Sequence, residues 1–264
     1  MNTTTVRTIL WLHTLIVGAA GAALFLFPTT AGSFWPWPLP ALAARFVGAL
    51  LISAAIDTGL TAGAHDELPV VGSLLAGLVL YGLVDLTGVL ALGTLGASNG
   101  LLVWIALFGG LALAFGGLLA SRLDAPLDRA RAQSQSRFLR GLLWLDLALV
   151  APVGLLMYLA PEVAQRFWPW TLSPINVRLI GSIFVTTAVL SFWALRQRTW
   201  EEVRPGVIAG GTFATLALIA SFLHFSLFDP SRLVTWLFIA LYAIVAAGAW
   251  LATLLQARGR REIV

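Results

Sequence analysis

The chain has 264 residues, is 59% hydrophobic and 11% charged, and has a mean hydropathy of +0.91, too apolar for a soluble globular domain of this length. Its formal charge of +4 sits on no soluble element, which excludes a nucleic-acid-binding surface. It has no cysteine, and every one of its 16 basic residues is Arg, so disulfides, thiolate metal sites, cysteine nucleophiles and lysine Schiff bases are all excluded.

Apolar runs occupy about 7–27, 41–62, 69–93, 100–120, 138–160, 174–197, 205–227 and 232–256. Roughly 20 apolar residues span the hydrocarbon core, and backbone groups there must pair within their own segment. The expected fold is therefore an all-α integral membrane protein with eight transmembrane helices. The first run is read as a retained span and not a secretory signal, because it is about 20 residues long and its counterpart at 138–160 is internal.

That counterpart exists because the chain repeats itself. Phe34-Trp35-Pro36-Trp37 returns as Phe167-Trp168-Pro169-Trp170, 133 residues later. The same ungapped shift pairs Arg7 with Arg140, Trp11 with Trp144, Gly21 with Gly154, Pro28 with Pro161, Arg45 with Arg178 and Gly48 with Gly181. From position 7 to 50, 16 of the 44 aligned pairs are identical. The reading is a tandem duplication: a four-helix repeat over 1–122, a linker over 123–137 and a second repeat over 138–264. An even number of spans per unit makes the two repeats parallel, an arrangement known among transporters.

Eight spans put both termini on one face. Twelve Arg residues (Arg7, Arg122, Arg129, Arg131, Arg137, Arg140, Arg196, Arg198, Arg204, Arg258, Arg260 and Arg261) fall on that face, and Arg45, Arg166, Arg178 and Arg232 on the other. This positive-inside bias expects cytoplasmic termini in a cell membrane. The Phe-Trp-Pro-Trp loops then lie on the outer side, with Trp35, Trp37, Trp168 and Trp170 as interfacial anchors. Pro40 and Pro174 fall near the first turn of the helices that follow.

Ionisable residues within spans are expensive and so become candidates for function. Arg45, Arg178, Asp85 and His224 fall toward the outer side and form the candidate binding set, with Asp85 placed to neutralise Arg45. Ser53 follows Arg45, and Ser182 and Thr186 follow Arg178, at spacings that put each row on one helical stripe. His13, Asp146 and Asp57 fall toward the inner side. His13 and Asp146 are repeat partners, and a hydrogen bond between them with Asp57 nearby would make a proton relay. His13 and His224 lie at opposite depths, so they do not share a haem iron; no cofactor or metal is expected. The segment His65-Asp66-Glu67 reads as a solvated turn. Glycine pairs Gly109-Gly110 and Gly116-Gly117, and Gly59 with Gly63, suit close helix contact.

The residues fit a small-solute, lipid or anion transporter with a site between repeats. The alternative is a structural or accessory subunit of a membrane complex. Beyond the lipid bilayer, the partners considered are an anionic lipid, a small solute, or further copies or subunits in a complex. Enzymatic chemistry is the least supported, since no phosphate loop, nucleophile elbow or His-Glu-x-x-His motif occurs.

Overall fold

The computed structural model describes residues 3–123, 129–130 and 132–261. Most of the polar segment at 124–131, Arg131 included, lies outside the described residues. The described part is helical: α1 (Thr3–Leu26), α2 (Pro28–Gly32), α3 (Ala41–Ala62), α4 (Val70–Leu95), α5 (Asn99–Ala120), α6 (Arg137–Leu159), α7 (Pro161–Phe167), α8 (Pro174–Arg196), α9 (Trp200–Leu223), a 3₁₀ turn (Phe225–Leu227) and α10 (Leu233–Arg261). Eight of these are long and apolar enough to cross a membrane, and α2 and α7 are short. The protein is thus a multi-pass membrane protein in contact with lipid.

The short helices have a local cause. Pro28 and Pro161 each stand at the first helical position, where a missing N–H is no loss and the fixed φ suits the helix. The largest departure from the sequence reading is α9, which begins five residues earlier than the apolar run. Thr199 caps it: the Glu202 carboxylate accepts from the Thr199 backbone N–H at 3.1 Å and from its hydroxyl at 2.8 Å. Glu201 and Glu202 also place negative charge on the first turn, which the helix dipole favours. Pro205 is the sixth residue of α9, so the turn ahead of it loses one hydrogen bond and still forms.

Four antiparallel pairs make the bundle: α1 with α3, α4 with α5, α6 with α8, and α9 with α10. Across pairs, α3 runs beside α9 and α4 beside α8, so each half of the chain interlocks with the other. At one end Glu67 accepts from Thr3 and forms an ion pair with Arg122 at 2.7 Å, while the Gln135 N–H donates to the Arg198 carbonyl. At the opposite end the Trp37 indole donates to Asn176 Oδ1 at 2.9 Å, and the Asn176 amide returns to the Pro38 carbonyl at 3.1 Å.

The closest helix approaches occur at Gly21 with Gly48 and at Gly154 with Gly181. A Cβ on Gly48 would stand 2.6 Å from the Phe25 nitrogen and 2.8 Å from the Gly21 carbonyl oxygen; one on Gly181 would stand 2.8 Å from the Tyr158 nitrogen. These are backbone atoms that cannot rotate aside, so the helices touch main chain to main chain. The glycine pairs expected to do this contribute less: a Cβ on Gly110 or Gly117 meets nothing within 4 Å, and one on Gly59 meets only the Thr14 side chain and Trp11.

Gly48→Ala is expected to destabilise the protein by about 1–3 kcal/mol, as overpacking does when neighbours cannot yield. Gly110→Ala is expected to leave stability within about 0.5 kcal/mol of the parent, as surface changes do. Thermal unfolding in detergent compares the two, and equal midpoints would refute the assignment of the crossing point.

Candidate functional site

One cavity of about 190 Å³ runs between α1, α3, α4 and α5 on one side and α6, α8, α9 and α10 on the other. It lies in the half of the bundle nearer the termini, since its walls use the first turns of α4, α6 and α9 and the later turns of α3 and α8. A single water centre needs roughly 10–15 Å³, so the space admits a small molecule or several waters. Its lining positions come in pairs 133 residues apart: His13 and Asp146, Ser53 and Thr186, Asp57 and Leu190, Thr58 and Ser191, Ser73 and Gly206, Leu80 and Phe213.

His13, Asp57 and Asp146 all line this cavity, though they do not bond to one another as the sequence suggested. His13 Nδ1 lies 3.1 Å from Thr58 Oγ1, and its Nε2 bonds the Tyr81 hydroxyl. Thr58 has acceptors for its own proton in the Ala54 carbonyl and Thr14 Oγ1, which leaves it to accept from Nδ1. The His13 proton therefore sits on Nδ1, and Tyr81 donates to Nε2. Asp146, at the equivalent place in α6, accepts from the Ser191 hydroxyl at 2.6 Å. His13 to Thr58 and Asp146 to Ser191 are thus the same contact made 133 residues apart. Asp57 is buried with the Ser73 hydroxyl as its polar neighbour, and Ser73 also meets Thr61 at 2.5 Å. No basic side chain lines the cavity apart from the imidazole of His13.

The other four candidates lie elsewhere. Arg45 Nε donates to the Phe25 carbonyl and Arg178 Nε to the Tyr158 carbonyl, both at 3.0 Å. Each guanidinium thus caps the last turn of the preceding helix, where cations are favoured. Arg45 also donates to His224 Nε2 at 2.7 Å, a bond that Arg178 lacks because position 91, the counterpart of His224, is Ala. Asp85 does not neutralise Arg45: it packs on Gly109 of α5, and no acid is in ion-pair range of Arg45 among the described residues. The binding set therefore does not converge on one pocket.

The loop tryptophans are also placed differently from the sequence reading. Trp37, Trp168 and Trp170 are buried in protein, Trp37 with Trp35 and Trp104, the other two with Phe238. The outward residues are Phe34 and Phe167, 85% and 64% exposed. The indole N–H wants a partner, and Asn176 supplies one only to Trp37; its counterpart at position 43 is Ala.

Sequence reasoning passed over Thr58, Ser191, Tyr81 and Glu202. Thr58 and Ser191 were visible as a conservative pair under the 133-residue shift, and Thr199-x-x-Glu202 has capping-box spacing. Glu202 is buried and ion-paired with Arg129 at 2.7 Å, so the turn expected at 198–204 is a fixed corner of the site. Glu67, read as part of a solvated turn, is likewise tied to Arg122. Among the described residues no three His, Asp or Glu side chains gather closely enough to hold a metal ion.

Double-mutant cycles separate direct contact from shared lining. His13→Ala with Tyr81→Phe is expected to give a coupling of about 0.5–3 kcal/mol in unfolding free energy, and His13→Ala with Asp146→Ala less than about 0.5 kcal/mol. At the other end, burial and then the Arg45 charge hold His224 below the ordinary imidazole value. A His with a depressed folded value is stabilising above the ordinary 6.5 and loses that contribution as pH falls below it. The Arg45→Ala, His224→Ala coupling is therefore expected at pH 8 and absent at pH 5; an unchanged coupling would refute the bond. Compared with known proteins, the chain matches no protein-family model, no curated protein and no solved structure.

Proposed function

We propose that the protein is a duplicated four-helix unit that carries a small solute across a cell membrane through the central cavity. In this reading both termini are cytoplasmic, following the Arg distribution, and the cavity as seen faces the cytoplasm. The carrying observation is the cavity wall, in which residues 133 apart come from both halves and meet around one space. Parallel repeats that share a site at their interface can rock about it, opening to each side in turn. His13, Asp57 and Asp146 would take and release protons during that cycle.

The magnitudes favour function over packing for the acids. An Asp near the middle of a spanning helix costs about 2.5–3.5 kcal/mol on insertion scales, and two such residues face one cavity. A lipid or anion as the solute has less support, because Arg45 and Arg178 cap helices at the other end.

The absence of cysteine makes a direct test possible. Ser53→Cys and Thr187→Cys place a thiol in the cavity wall. In oriented vesicles each is expected to react with a membrane-impermeant methanethiosulfonate from the cytoplasmic face, and more slowly from the outer face. Ser98→Cys, in the loop ahead of α5, is expected to react from the outer face alone. Labelling of the cavity thiols from one side under all conditions would sink the transport reading.

A further inference from the structure

The cavity's chemistry narrows what it accepts. Asp57 and Asp146 line it, are 7% exposed and half-buried respectively, and neither has a cation in ion-pair range among the described residues. The third acid in the wall, Glu202, is already paired with Arg129. Burying a carboxylate in hydrocarbon without a counter-charge is costly, so each must hold a proton or face a cation.

The other wall groups do not favour a neutral or anionic solute. Ser53, Thr186 and Thr187 donate their protons to the carbonyls of Ala49, Ser182 and Ile183 in their own helices. The remaining wall is aromatic, with Tyr81, Phe115, Trp193 and Phe213. Ring faces attract cations, most strongly where water is excluded.

We infer that the cavity binds a small organic cation, an ammonium group on a compact apolar or aromatic body, with Asp57 and Asp146 as its counter-charges in exchange for protons. This rests on the reading of the cavity as the solute site. The exchange balances simply: the ammonium enters, protons leave the carboxyl groups, and no covalent bond forms. The ionisable groups facing the two acids are His13 on α1, Tyr81 on α4, Glu202 with its Arg129 on α9, and Tyr242 on α10, which lies within electrostatic range of Asp146. The lining residues of α5 and α8 add none.

The experiment compares benzylammonium with its neutral isostere benzyl alcohol and with benzoate, on the full chain in detergent at pH 7. Calorimetry reports affinity, and an indicator dye in weak buffer reports protons. Benzylammonium is expected to bind saturably and release protons, with benzyl alcohol at least about tenfold weaker and benzoate not bound. Asp57→Asn and Asp146→Asn are each expected to cut benzylammonium affinity by about tenfold or more, and Asp146→Glu to retain it. Circular dichroism and the unfolding midpoint show that each variant is folded. Equal affinity for amine and alcohol, no amine binding by folded protein, or full binding by both Asn variants would overturn the assignment. Amine binding with one-sided thiol labelling would sink transport alone. Two-sided labelling with no preference for charge would sink the cation assignment alone.

Discussion

Everything in this bundle is registered by two places where helix backbones touch. At Gly21 with Gly48, and again at Gly154 with Gly181, there is no room for a single carbon between main chains. In lipid no hydrophobic force gathers helices, so close packing of small residues must do so. Fixing that crossing fixes the rest of each pair. One end of the contact brings Arg45 and Arg178 to the carbonyls of Phe25 and Tyr158. The other end, toward the termini, brings Thr58 to His13 and Ser191 to Asp146. The same geometry thus sets a capped outer end and a polar inner end.

The two halves do not form separate bundles with a site in the seam. Because α3 runs beside α9 and α4 beside α8, each half supplies a wall to the other. The shared framework then allows different chemistry at matched positions. One half places His13, Asp57, Ser73 and Tyr81 around the cavity, while the counterparts of the last three are Leu190, Gly206 and Ala214. Asp146 is the acid that the second half keeps in its spans' inner wall, opposite the His13 cluster. Loss of polar groups on one side, with room left behind, is what turns a packed interface into a lopsided cavity.

Asymmetry at the far end has a different character. Asn176 and His224 each reach across to the first half, and Ala43 and Ala91 at the matching positions cannot reach back. These one-sided bonds tie loop to helix and helix to turn at that end. The polar groups at the cavity end leave space between them, while those at the far end close it. The arrangement suits a bundle that is fastened at one end and open at the other.

The sequence alone determined that the chain is helical and spans a membrane eight times, because hydrocarbon leaves the backbone no other way to pair its polar groups. It also determined which residues correspond, since Trp, Pro, Gly and Arg identities at one fixed spacing survive any conformation. It carried the cost of placing His13, Asp57 and Asp146 in spans. Only the tertiary structure decided which polar residues share a space. Helical period and depth do not say which way a helix is turned about its axis. Asp85 and Arg45 looked like partners by depth, yet face different neighbours. Trp37, Trp168 and Trp170 looked like lipid anchors by type, yet are buried. Helix rotation is set by contacts between distant segments, above all the glycine crossings, and that information becomes visible only when the segments are packed.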